Sequence, residues 1–261
     1  MNEIVRIMAL ETSSRIGSVA VAQGPELLAE QSFTASLRHA GELLPTMAQM
    51  AEQQGWKPSD IDHLYISNGP GSFTGLRIGV AAAKTFALAR PQVKIVAVPS
   101  TEVLVQNALR GAAEKNWDNL QNVAVVIDAK RKQIYTALYA RDESLADGGP
   151  ELKKDFVPAF RTLMPAQVIP PEKLLERSPR PLYLLGPGLK SYQEQLTGDG
   201  VFWLDETYWQ PRAAGVHRCG YLRARAQKFV LPDELAPFYL RRPEAVERWE
   251  RTYGQQSITD L

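Results

Sequence analysis

The sequence predicts an α/β protein of two lobes, each built on a mixed sheet that opens in the same way. Three observations predict it. A chain of 261 residues is long enough to bury two cores. Its first hundred residues read in the order β-β-β-α-β-α-β. The segment that follows opens with another pair of strands joined by a tight polar turn. On this reading residues 1–99 form one lobe, to which a helix returns at about 210–235. Residues 100–209 form the other, and 236–261 an extended tail.

Ile4 to Leu10 is a short apolar run, as a buried strand requires, and Glu11-Thr12-Ser13-Ser14 is a polar turn. Gly17 to Gln23 alternates as a second strand. Gly24-Pro25 turns the chain into a third, Leu27 to Phe33. Within RHAGELLPTMAQMAEQQG, Leu43, Met47 and Met50, with Leu44, Ala48 and Ala51, stand at helical spacing. Pro45 suits the first turn of that helix and Gly55 its end. Ile61 to Ser67 is a fourth strand. It runs into the glycine turn Asn68 to Gly75 and an alanine-rich helix, and Val93 to Val98 is a fifth strand.

In the second lobe Ser100 caps a helix reaching Leu109. Val123 to Asp128 and Gln133 to Ala140 are strands around the charged turn Ala129-Lys130-Arg131-Lys132. Residues 141–181 are proline-rich and weakly periodic, and no element is assigned there. Pro181 to Leu185 is a strand ending in Gly186-Pro187-Gly188, with a helix near Leu189 to Leu196. Ala213 to Val230 is a long helix expected to pack back on the first lobe.

Composition excludes several classes. Hydrophobic residues at 44% and charged residues at 23% are ordinary for a soluble globular chain. No apolar run reaches the roughly 20 residues of a membrane-spanning helix. Met1-Asn2-Glu3-Ile4-Val5-Arg6 lacks the features of a secretory leader. One cysteine, Cys219, excludes an intramolecular disulfide, so a cytoplasmic location is expected. Thirty basic residues against 29 acidic ones leave none of the basic excess of a chain that grips nucleic acid alone. The cluster Arg218, Arg223, Arg225 and Lys228 on a helix, and the Arg241-Arg242 pair that begins the tail, both read as solvated faces.

The motifs are more specific. IMALETSS with GSVAV, RHAGELLP, ISNGPGSFTGLRIGVAAAKTFA, VAVPSTEVL and VIDAKRKQIYTALY occur in this order. Together they resemble the TsaB family, also called YeaZ, the bacterial companion of TsaD in making threonylcarbamoyladenosine on tRNA. The resemblance runs from about Ile4 to Arg241. It implies the duplicated, two-lobed fold of actin, sugar kinases and heat-shock chaperones. It also implies a non-catalytic partner that docks on TsaD, allows TsaE and tRNA to join, and forms a homodimer when alone.

Strand, glycine turn and helix N-terminus together can hold a phosphate. Here Gly75, Gly79, Ala83 and Ala87 recur every fourth residue, a smooth stripe that another backbone can approach. Leu76, Val80 and Ala83 form an apolar face beside it. Internal packing and docking both fit such a helix. The resemblance implies docking, with Leu43, Leu44, Met47, Met50, Leu76, Gly79, Val80 and Ala83 at the partner interface. The turn is then expected to position a docking helix rather than to hold phosphate.

No catalytic residue and no metal ligand is expected. By alignment to TsaD motifs, the two places of a metal-binding histidine pair fall on Ser100 and Leu104. His39, His63 and His217 lack ligand spacing. Glu11, Thr12, Ser13, Asp128, Gly186 and Gly188 mark a possible residual nucleotide site. The long side chains of Lys130, Arg131 and Lys132, however, stand where small residues would let backbone amides reach phosphate. The isolated chain is therefore expected to carry no cofactor, with ATP and metal on partner subunits. The competing expectation is a stand-alone enzyme of the same fold. It would be either an ATP-dependent phosphotransferase using Glu11 and Asp128 or a glycoprotease-like metallopeptidase.

Overall fold

In the computed structural model, residues 5–33, 39–115, 120–145 and 159–240 are described. The first repeat comprises β1 (Arg6–Glu11), β2 (Gly17–Gln23), β3 (Glu26–Phe33), α1 (His39–Gln53), β4 (His63–Gly69), α2 (Phe73–Ala89), β5 (Lys94–Pro99) and α3 (Ser100–Lys115). The second comprises β6 (Asn122–Asp128), β7 (Ile134–Arg141), β8 (Phe160–Ile169), α4 (Pro171–Arg177), β9 (Leu182–Leu185), β10 (Val201–Trp203) and α5 (Ala213–Arg225). A short 3-10 turn, Pro187–Ser191, stands where the first repeat has α2.

The strand orders are β3-β2-β1-β4-β5 and β10-β9-β6-β7-β8. These are one arrangement met twice. In each sheet the opening strand pairs antiparallel with the next strand and parallel with the fourth. This duplication is the actin-like architecture expected from the sequence.

Period two explains the continuous apolar runs. Met8, Leu10, Leu64 and Ile66 face the core under α1 and α2. Ile7, Ala9, Tyr65 and Val96 face the opposite way, into a core with Ala213, Val216 and Cys219 of α5. The last helix of the chain thus covers the first sheet. α3 sends Leu104, Val105 and Ala108 into the core of the second sheet and Val103 into that of the first.

Several elements differ from expectation. α1 begins at His39, so Pro45 lies inside it and not in its first turn; one helical hydrogen bond is forgone there. α3 continues to Lys115, and α5 ends at Arg225. Val230 bridges Ile95 instead of extending the helix. Leu189 to Leu196 is a short turn and not a helix. Residues 141–181 hold β8 and α4. Pro165 breaks the β8 pattern and is tolerated because β8 is an edge strand.

Leu235 is buried in the first core, and the Phe238 amide donates to the Asn68 carbonyl at 2.6 Å. The expected tail is therefore packed as far as these residues. From residue 241 on, it lies outside the described residues, as does the side chain of His39.

Candidate functional site: the glycine turn and the helix pair

β4 ends at Gly69, whose φ of +119° is open to glycine and strained for other residues. Ser72 then caps α2, its hydroxyl accepting from the Gly75 amide at 3.2 Å. The turn also contacts the segment after β1. The Ser72 amide donates to the Ser13 carbonyl at 2.7 Å. A Cβ on Gly71 would lie 2.9 Å from the Ser13 Cβ, and one on Gly75 would overlap the Thr12 carbonyl oxygen. A Cβ on Gly79 would stand 2.5 Å from the Thr12 hydroxyl.

The glycines therefore let α2 press against the turn after β1. From the other side, the Phe238 carbonyl would be 2.7 Å from a Cβ on Gly69. Tyr239 stacks on Phe73 at 5.3 Å, and the Arg77 guanidinium sits 4.4 Å over the same ring.

The eight residues expected at a partner interface divide by exposure. Leu43, Met47, Met50, Leu76, Val80 and Ala83 are buried in the chain's own core, and Gly79 is buried against Thr12. Of the eight expected interface residues, only Leu44 is exposed, at 54%. The spacing of the stripe marks close internal packing.

The faces that reach solvent are offset from it. On α1 they include Leu44, Pro45 and Ala48; on α2 they include Ala81, Thr85 and Leu88. Leu88 is 81% exposed. Between the helices lies an apolar groove of about 420 Å³, whose lining includes Leu44, Met47, Ala48, Ala51, Phe86 and Ala89. Sequence reasoning did not single out Ala81, Thr85 and Leu88. Their signal is a second stripe at i, i+4 and i+7, hidden because alanine reads the same on either face of a helix.

The expected nucleotide residues divide between the two repeats. Glu11 closes β1 and Asp128 closes β6, at equivalent strand ends. Gly186 repeats Gly69, with a φ of +124°. A Cβ on Gly188 would lie 2.7 Å from the Asp128 amide nitrogen, so the second turn also presses on its strand end.

Glu11 is fully buried, and burial pushes its carboxyl up, with hydrogen bonding from Ser13 opposing. One oxygen accepts the Ser13 amide at 2.5 Å, and the other has no hydrogen-bond partner among the described residues. Thr12 and Ser13 are buried beside it. Burial would raise the Asp128 carboxyl too, but hydrogen bonds from Lys130 and its charge hold it below the usual range. Lys130 Nζ and amide each reach it at 2.7 Å, and the Tyr192 hydroxyl donates to it at 3.1 Å. Burial and the Asp128 charge push Tyr192 up to about 12.

Lys130, Arg131 and Lys132 take φ of 62°, 53° and 58°, three left-handed residues in succession, and their side chains are exposed. Left-handed backbone costs non-glycine residues roughly 1–2 kcal/mol each. The Lys130 amide is already taken up by Asp128, and the Gln133 amide donates to the Lys130 carbonyl at 3.1 Å.

Ser100 and Leu104 are buried, Leu104 in the second core. Among the described residues no three His, Cys, Asp or Glu side chains gather as a metal site. His217 is buried with Nε2 2.9 Å from the Gly24 carbonyl, which fixes the proton on that nitrogen. Burial drives the Cys219 thiol well up. Among the described residues no helix is long and apolar enough to cross a membrane.

Residues 33–167 match the family model described as TsaD: tRNA N6-adenosine threonylcarbamoyltransferase. The tRNA threonylcarbamoyladenosine biosynthesis protein TsaB of Bacillus subtilis is 26% identical over 93% of this chain and 97% of its own length. TsaB of Escherichia coli is 26% identical over 97% of this chain and 100% of its own. The structure of YeaZ from Pseudomonas aeruginosa superposes with a TM-score of 0.71 at 24% identity, over 91% of this chain and all of that one, which shows the shared fold. The model takes in just over half of the chain and TsaB relatives run along almost all of it: within the TsaD family, the chain belongs to the TsaB (YeaZ) group.

Proposed function

We propose that this chain is a non-catalytic docking subunit that acts in threonylcarbamoyladenosine formation on tRNA by binding TsaD through the exposed faces of α1 and α2. TsaD, and not this chain, transfers the threonylcarbamoyl group to the adenosine next to the anticodon. TsaE and tRNA join the pair, and the same helix faces close a homodimer when the chain is alone. Nucleotide and metal belong to the partner subunits.

The observation that carries this reading is the apolar α1–α2 groove, lined by Leu44 at 54% exposure; Leu88, at 81%, stands on the exposed face of α2. Burying a leucine stabilises a contact by about 1.5–3 kcal/mol, so two such side chains and an apolar groove favour a protein partner. The strand ends give further support. Glu11 is fully buried and Asp128 is engaged by Lys130 and Tyr192, which favours a docking subunit over a phosphotransferase that uses these carboxylates for magnesium. The names of the relatives supply the reaction.

The reading is tested by reconstitution. TsaD and TsaE with tRNA and the threonylcarbamoyl donor are expected to form threonylcarbamoyladenosine only when this chain is added. The chain alone is expected to neither hydrolyse ATP nor modify tRNA. Modification at an undiminished rate without it would overturn the proposal.

A further inference from the structure

A second cavity, of about 690 Å³, lies between α3, α5 and the turn joining β2 to β3. Arg218, Tyr221 and Arg225 line it from α5, three and four residues apart and therefore on one helix face. Arg110 lines it from α3, and Leu27 from the start of β3. Its charge is one-sided: four guanidinium groups, those of Arg110, Arg212, Arg218 and Arg225, meet one carboxylate, Glu30.

That carboxylate is already engaged. Glu30 pairs with Arg212 and accepts the Ala214 amide at 3.0 Å, in the first turn of α5. Arg110 donates to the Thr207 carbonyl at 3.1 Å and pairs with Glu114, whose carboxylate lies 3.9 Å from its Nε. Arg218 and Arg225 are exposed and form no ion pair among the described residues.

We propose that this cleft binds a small organic phosphate, with its phosphoryl group held by Arg218 and Arg225 and its apolar body against Tyr221 and Leu27. A phosphate monoester brings nearly two negative charges and three strong acceptor oxygens, which guanidinium forks match. The volume lies within the roughly 300–1,000 Å³ of small-molecule sites. A concave site on a chain with net charge +1 is a poor track for a nucleic-acid backbone. The cleft is distinct from the α1–α2 groove, so the proposal stands independently of docking on TsaD.

Phenyl phosphate and inorganic phosphate are the probes, titrated into the full chain by NMR and calorimetry. Phenyl phosphate is expected to saturate at about millimolar concentration and to bind more tightly than inorganic phosphate, because its ring adds apolar contact. Shifts in the unaltered protein are expected to centre on Tyr221 and His217. The variant Arg218→Glu/Arg225→Glu, altered at two exposed positions, is expected to melt as the parent does and to bind at least about tenfold more weakly. Asp128→Asn is expected to leave binding unchanged, which separates this cleft from the strand-end residues.

No saturable binding by about 10 mM would overturn the proposal. So would shifts centred elsewhere, or affinity that survives the double charge reversal. Binding of tRNA that needs these arginines, without binding of phenyl phosphate, would overturn it in favour of a nucleic-acid contact.

Discussion

The Thr12 hydroxyl rests against the backbone of Gly79: a Cβ at residue 79 would lie 2.5 Å from Thr12 Oγ1. One turn earlier, Gly75 meets the Thr12 carbonyl even more closely. Any side chain on these glycines must push α2 away from the turn after β1. Gly75→Ala is expected to cost about 2–3 kcal/mol by overpacking, and Gly79→Arg to prevent folding. Urea denaturation and solubility check both. A Gly79→Arg variant that melts like the parent would place the stripe outside the core.

Glu102 on α3 and Arg223 on α5 form an ion pair whose side chains are only 12% and 13% exposed. It ties together the helices that close the two repeats. Glu102→Ala leaves a buried guanidinium unpaired and is expected to destabilise by about 3–5 kcal/mol. Replacing both partners, Glu102→Leu with Arg223→Met, is expected to recover most of that loss. Denaturation of the two variants beside the parent tests the difference.

Glu11 makes stability depend on pH in a definite direction. Burial raises its folded-state pKa, so its favourable contribution is complete below the unfolded carboxyl range and is lost as pH rises through the folded value. Glu11→Gln removes the ionisation and can still accept the Ser13 amide. The variant is expected to be at least as stable as the parent at neutral pH and to show a flatter stability profile as pH rises above the ordinary carboxyl range. A variant clearly less stable at neutral pH would mean that the carboxylate is needed in its charged form.

Cys219 is fully buried on α5, and burial drives its thiol well up. It is expected to resist thiol reagents in the native protein and to react at once in denaturant. Labelling under native conditions should therefore report opening of the chain. Fast labelling at neutral pH would contradict its burial.

The duplicated sheets were legible because each opens with apolar runs of strand length around a tight turn. Gly17–Gln23 was placed to the residue. β8 was not legible, since Pro165 interrupts its alternation, and β10 has only three residues. For the site, spacing identified the helices but not their orientation. Gly75, Gly79 and Ala83 repeat every four residues, and so do Ala81 and Thr85. Only the contact with Thr12, distant in sequence, decides which stripe is inside. The arginine cleft was illegible for a similar reason: Arg110 and Arg218 lie on helices of different repeats.

Docking on TsaD depends most on the exposed face of the helix pair. The decisive measurement is the affinity of purified TsaD for Leu44→Glu/Leu88→Glu, compared with the parent chain by calorimetry. Both positions are exposed, so the variant is expected to keep the parent's melting transition to within about 0.5 kcal/mol per site. Its binding to TsaD is expected to fall by at least about 100-fold, because two charges would enter an apolar contact. A folded variant that binds TsaD as tightly as the parent would contradict the account.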